Sequence, residues 1–468
     1  MIQPASVHYP ISLDNVIAKI EKKKASKQKS ALAADPYKQS NIKEITNEYN
    51  ETLIQIDGDI PPELKVKKGQ RFLFISYDQS KYSHGIHKYP AKFFPELPRW
   101  LIKRYSKQYD TILDPFAGSA TTNIEALLSH RHSVGIDIDP FARLLAKVKT
   151  TPIDNQELDR AKDLLLKKLV KFNISKINPK EIPDFPYRDN WFTKDILFEL
   201  AYIKKIIFRL EAHQDIIDFC KICFSSIIRQ VSNADNNCTR TVVRKKLNKV
   251  IIPSMALSLF AEHLLVNALR IKEFSSQCPQ GILVTFPENN DARQFQYADN
   301  YFDLAVTSPP YVNAVDYPRT HQLEVYWLEL ATGSLCPLKK NHIGTESVSA
   351  DDYRIFHTIG DSEADTKLKA IFEKDPRRAY IAYKYLFDMK QNLIEVHRTL
   401  KPYARYVIVV GNNTIRGELF ESWKYLMNIA TQVGFTVETY FGSEIIKHFI
   451  KVPREERINT DWVLVLQK

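Results

Sequence analysis

Two segments carry side chains whose types and spacing could do chemistry. In FDLAVTSPPYVNAVDYPR an apolar run feeds directly into Ser308, Pro309, Pro310 and Tyr311. Consecutive prolines fix φ and push the preceding residue out of the helical region, so this turn is extended and rigid at the end of a strand. It presents a hydroxyl, a fixed carbonyl and an aromatic face at constant spacing. The second segment, TILDPFAGSATTNIEALLSHRHSVGIDID, reads as strand, tight turn, helix and strand. Gly118 in the turn lets a ligand approach the backbone, and the helix that follows offers free N–H groups. Asp137 ends the second strand, where a carboxylate can accept two ribose hydroxyls. Neither G-x-G-x-x-G nor G-K-[ST] is present, which disfavours dinucleotide and triphosphate sites.

These residues need a sheet to hold them. Strands are expected at TILD ending at Asp114, SVGID ending at Asp137, ILVTF at 282–286, DLAVT ending at Thr307 and YVIVV ending at Val410. Helical patterns alternate with them, the signature of a parallel α/β sheet. SWKYLMNIATQV reads as a further helix, and TVETYF and DWVLVLQ as closing strands. Residues 151–280 instead read as successive helices without strand alternation, a helical insertion that interrupts the sheet. Residues 1–80 read as an N-terminal arm, with a helix capped by Ser12 running into the basic KKKASKQKS. The catalytic domain is then 81–150 with 281–468. The stretch 330–378, ending KDPRRAY, shows little pattern.

DPFAGSATT followed by GIDIDP resembles the S-adenosylmethionine loop and ribose-binding acid of amino-group DNA methyltransferases. Ala120 departs from the resemblance, standing where the family pattern DPFxGSGTT has its second glycine. SHGIHKYPAKFFPELPRWLI resembles the segment that closes over the methionine end of the cofactor, through His87, Tyr89, Pro90, Lys92 and Phe93. Asp291 resembles the acid that bonds the adenine amine. The resemblance implies a class I, Rossmann-like methyltransferase sheet with a helical insertion. It also implies S-adenosylmethionine held by Tyr89, Pro90, Lys92, Asp114, Phe116, Gly118, Ser119, Asp137 and Asp291.

TSPPY resembles the family's catalytic motif, with Ser in the first position as in cytosine-N4 enzymes rather than Asp or Asn as in adenine-N6 enzymes. Methyl transfer to a base amine needs acceptors for its hydrogens, so that the conjugated lone pair is drawn toward tetrahedral geometry. Ser308 and a carbonyl near Pro309 could supply them, and Tyr311 could stack on a flipped base. Asn313, Asp316, Tyr317 and Arg319 would line the same crevice or bind DNA. The implied activity is methylation of cytosine N4 in double-stranded DNA within a restriction-modification system, with a cognate endonuclease as partner. Adenine-N6 methylation, guanine-N2 methylation of tRNA and a non-catalytic scaffold are the alternatives.

The insertion is the expected target-recognition region. There SNADNNCTRTVVRKKLNK gathers Arg240, Arg244, Lys245, Lys246 and Lys249 beside several Asn, a mixture suited to phosphates and base edges. The chain has 468 residues, 44% of them apolar, and a net charge of +11, which admits a polyanionic partner and excludes collagen-like and disordered classes. Five cysteines fit reduced thiols. Cys220 and Cys223 form a C-x-x-C on a helical apolar stretch, read as buried thiols rather than a zinc site, so no metal is expected. No apolar run spans a bilayer, and MIQPASVHYP lacks a secretory pattern, which points to the cytoplasm.

Overall fold

The computed structural model describes residues 11–31, 41–47, 50–76, 78–243, 249–312, 316–445 and 460–468. Its strands are β1 (Asn41–Thr46), β2 (Thr52–Asp57), β3 (Gln70–Ile75), β4 (Thr111–Asp114), β5 (His132–Gly135), β6 (Val284–Thr285), β7 (Phe302–Thr307), β8 (Leu400–Gly411), β9 (Asn413–Ile415), β10 (Glu418–Phe420), β11 (Thr436–Glu444) and β12 (Thr460–Gln467). Ten of these form one sheet in the order β1-β2-β3-β11-β12-β8-β7-β4-β5-β6, and β9 and β10 make a separate hairpin. From β6 to β8 every pairing is parallel. β12 then runs antiparallel between β8 and β11. This is the mixed, mostly parallel sheet of a Rossmann-like α/β fold.

The side-chain period of two divides the sheet's residues between two cores. Leu113, Ala305, Ile408 and Leu464 pack under the helices Pro376–Thr399 and Ser422–Val433. Their neighbours Ile112, Val306, Val407 and Val463 pack on the other face with Trp100 and Leu101 of the helix Glu96–Tyr105. Strands buried on both faces read as continuous apolar runs, which is why DLAVT and YVIVV were legible.

Residues 1–80 differ from the expected arm. Leu13–Ala31 is helical, but residues 41–75 supply β1 to β3, and β3 joins the sheet by parallel pairing with β11. The reason is apolar burial: Ile56, Phe72 and Phe74 are buried against Trp100 and Phe441. Short alternating runs between Lys-rich flanks carry that signal faintly.

Residues 151–280 carry long helices at Asn155–Val170, Lys194–Phe208, Gln214–Ile228 and Met255–Gln277. Their core is continuous with Ile124, Leu127, Phe141 and Leu145 of the helices after β4 and β5. Cys220 and Cys223 are fully buried there, and burial pushes both thiols up. The stretch 330–378 is more ordered than its pattern suggested, with helices at Cys336–Asn341 and Ser362–Lys374.

Candidate active site

From β4 the chain steps outward to β5 and β6, then returns to place β7 on β4's other side. Such a reversal opens a crevice beyond the strands' carboxyl ends. Asp114 ends β4 and Thr307 ends β7, and the Thr307 hydroxyl donates to Asp114 Oδ1 at 2.6 Å across this point. A cleft lined by Asp114 and Ser308 lies at this point.

One wall is the turn after β4. Gly118 has φ +48°, and a Cβ there would meet the Tyr89 ring at 3.3 Å. Its N–H donates to Asp137 Oδ2 at 2.9 Å, while the Asp139 N–H donates to Asp137 Oδ1 at 2.8 Å. The Asp137 carboxylate is thereby aimed into the cleft with lone pairs left for a ligand. Burial pushes it up to about 6, helped by the charge of Asp139. Burial likewise pushes Asp114 up to about 6, against the opposing bonds from Thr307 and the Phe116 N–H. Ser119 also lines the cleft, and its carbonyl faces the fully buried Lys149 Nζ at 3.4 Å. Ala120 adopts φ +61°, ψ +33° as it enters the helix Thr121–Leu128, so the position that departs from the family glycine is a left-handed one.

The opposite wall is the turn after β7. Ser308 and Pro310 line the cleft. Pro309 is buried and does not line it. Tyr311 is also absent from the lining: its phenol donates to Asp461 Oδ1 of β12 at 2.7 Å. The Asn413 amide holds the next carbonyl, Val312, at 2.8 Å. Tyr311 therefore pins the turn to the sheet.

Other expected residues divide. Tyr89 lines the cleft and stacks on Tyr317 at 5.7 Å and on His321 at 5.1 Å, and Phe93, Phe116 and Tyr317 line it too. Lys92 reaches the rim, but its Nζ donates to the carbonyls of Gln79 and His84. Pro90 stands outside the lining. His87 is buried against Phe141, and desolvation drives it down to about 4, which makes it a neutral core group. Asp291 lines the cleft with both oxygens engaged by Arg293. Arg319 and Asp316 flank Tyr317, where Asp316 accepts from the Arg319 N–H.

Of the basic cluster in the insertion, Arg240 is exposed, 3.7 Å from Glu346. Lys249 corrects the expectation of a phosphate contact: its Nζ is enclosed by the carbonyls of Arg229, Ser232 and Ala234 and the Asn236 side chain. Arg244, Lys245, Lys246 and Asn313 lie outside the described residues. Sequence reading missed Thr307, Asp139, Arg293 and the segment Asn341–Ile343, all gathered at the cleft or its base. Only Asp139 had a local signal, an Asp before Pro140 that reads as a helix cap.

The family model described as DNA methylase matches residues 3–147, the span that holds the Gly118 turn and Asp137. The Type II methyltransferase M.MvaI of Kocuria varians is 25% identical over 374 residues, covering 75% of this chain and 82% of its own. The chain is thus similar to DNA methylases over residues 3–147 and to Type II methyltransferases over about three quarters of its length. The Type II methyltransferase M.BsoBI of Geobacillus stearothermophilus is 24% identical over 415 residues, covering 77% of this chain and 80% of its own. The Type II methyltransferase M.MjaII of Methanocaldococcus jannaschii is 35% identical over 127 residues, which are 27% of this chain and 22% of its own.

These similarities support S-adenosylmethionine as the cofactor and imply DNA as the substrate. The cleft fits that cofactor. It offers a carboxylate at the end of β5, a side-chain-free turn beneath an aromatic ring, and an apolar wall at Phe116. Among the described residues no helix is long and apolar enough to cross a membrane.

Proposed function

We propose that this enzyme methylates the N4 amine of a cytosine flipped out of duplex DNA at a specific site. One observation carries the reading: Ser308 of the rigid turn and the Gly118–Asp137 wall face each other across one cleft. Asp137, oriented by two backbone N–H groups, would take the ribose hydroxyls, and Tyr89 with Phe116 would pack the cofactor's apolar surfaces. Bound there, S-adenosylmethionine supplies a methyl group on a positively charged sulfur.

Ser308 Oγ, which lines the cleft, would accept one hydrogen of the base amine. An acceptor so placed draws the lone pair out of conjugation and toward the methyl, and its position is preset by the prolines and by the Tyr311–Asp461 bond. The amine is itself the nucleophile, and no Cys adjoins the turn, so nothing calls for a covalent intermediate on the chain. Tyr311, tied to β12, serves this reading as an anchor for the turn.

For DNA, the rim offers Arg319, Arg240 and the insertion loop at 233–243, which docks where the Thr241 hydroxyl donates to the Thr320 carbonyl at 2.7 Å. The relatives that bear Type II names support a place in a restriction-modification system, with an endonuclease as functional partner and the cytoplasm as setting. The test is incubation with labelled S-adenosylmethionine and duplex DNA, followed by mass spectrometry of the nucleosides. N4-methylcytosine is expected. N6-methyladenine would overturn the choice of base, and label confined to tRNA would overturn the substrate.

A further inference from the structure

Two buried polar atoms without partners face each other across the cleft. Asp139 is almost fully buried; its Oδ1 caps the helix Pro140–Thr150 by accepting from the Phe141 N–H at 2.8 Å, and its Oδ2 has no hydrogen-bond partner. His342 Nε2 lies 3.9 Å from that oxygen and is likewise buried and unpartnered. The other ring nitrogen, Nδ1, sits 2.8 Å from the Leu338 carbonyl, which can only accept. Nδ1 therefore carries the hydrogen, and in the neutral imidazole Nε2 is a second acceptor turned toward the first. At 3.9 Å the two atoms make no hydrogen bond to each other, so both stay unsatisfied until a ligand group reaches them.

The backbone fixes this arrangement from both sides. Arg293, which grips Asp291, also donates to the Asn341 carbonyl at 3.0 Å. Two residues beyond His342, Gly344 has φ +79°, and a Cβ there would come within 3.1 Å of the Tyr311 carbonyl. The segment 341–344 thus bridges the Asp291 side of the cleft and the turn after β7, and it holds His342 opposite Asp139. Both residues line the same cleft as Asp137.

We propose that His342 and Asp139 form a binding pair for the nucleoside half of the cofactor, taking a hydrogen-bond donor that is either a ribose hydroxyl or the adenine amine. The pair adds to Asp137 a contact from a segment well beyond the Gly118 turn, so seating the nucleoside engages both walls of the cleft. The assignment rests on the cleft being the S-adenosylmethionine site.

Calorimetric titration of the full chain tests it. The probes are S-adenosylhomocysteine, its 2′-deoxy and 3′-deoxy ribose analogues, and the inosine analogue that lacks the amine. The variants are His342→Ala and Asp139→Asn; the latter keeps the Oδ1 cap and replaces the free acceptor with a donor. Each variant is expected to bind S-adenosylhomocysteine about tenfold more weakly with an unchanged melting temperature. The analogue lacking the donated group should bind His342→Ala and the wild type alike, which identifies ribose or amine as the source. Wild-type affinity in His342→Ala overturns the pair. No binding of S-adenosylhomocysteine by the wild type overturns instead the reading of the cleft.

Discussion

The Thr307 hydroxyl and Asp114 Oδ1, 2.6 Å apart and both buried, join the carboxyl ends of the two strands between which the cleft opens. β4 carries the cofactor turn and β7 the Ser308 turn, and this bond ties the two walls together just beyond the strands' parallel pairing. A Thr→Val change keeps the shape and removes only the donor. Asp114 sits at about 6 in the folded chain, above its unfolded value, so its contribution is greatest at low pH and is lost as pH rises through about 6. Losing the Thr307 donor disfavours the ionised form further. Thr307→Val should therefore cost about 1–3 kcal/mol at pH 7.5 and clearly less at pH 5. Urea unfolding at the two pH values checks this, and equal losses at both would show that the bond carries no charge-dependent weight.

Asp137 gives the second prediction. Burial and the neighbouring Asp139 hold it at about 6, and a ribose diol donates best to the ionised carboxylate. Cofactor affinity should be flat above pH 7 and fall as pH drops through about 6, by roughly tenfold at pH 5. Asp137→Asn should bind weakly at every pH and lose the inflection. A wild-type profile flat from pH 7.5 to 5 would remove Asp137 from the ribose contact.

How far the sequence disclosed this site depends on the range of the interactions. Gly118, Asp137 and Ser308 are legible because a strand end, a turn and a proline pair each express themselves within a few residues. The Thr307–Asp114 and Tyr311–Asp461 bonds join residues far apart in the chain, and only the sheet order brings them together. Lys249 misled for a related reason. A lysine among Asn and Arg looks solvated in sequence, yet here carbonyls from its own loop close around it. β1 to β3 went unread because each alternates over only six residues, too few to outweigh Lys-rich surroundings.

Ala120 tests how much the missing loop glycine matters. A left-handed φ of +61° costs an Ala about 1–2 kcal/mol relative to Gly. The buried methyl returns about 0.8 kcal/mol, and avoiding the entropy of an unfolded Gly returns about 0.5–1 kcal/mol. These terms nearly cancel. Ala120→Gly should therefore change unfolding free energy by less than about 1 kcal/mol and leave cofactor affinity intact. Ala120→Val, a β-branched residue in the same conformation and fully buried, should cost more than about 3 kcal/mol. A large gain in cofactor affinity in Ala120→Gly would show instead that the methyl obstructs the cleft.

The salt dependence of DNA binding separates basic residues that meet phosphate from those that serve the fold. Each phosphate neutralised contributes about 0.9 to the slope of log affinity against log salt. Arg319 stands two residues after Tyr317, which lines the cleft, and if it meets a phosphate Arg319→Ala should lower the slope by about 0.9. Lys249 is already spent on three carbonyls and Asn236. Lys249→Met should leave the slope unchanged but expose those carbonyls to a loss of about 2–3 kcal/mol in stability, because buried acceptors would lose a charged donor. Binding measured by fluorescence anisotropy at several salt concentrations, beside urea unfolding, distinguishes the two. A lowered slope in Lys249→Met with unchanged stability would return that residue to the DNA surface.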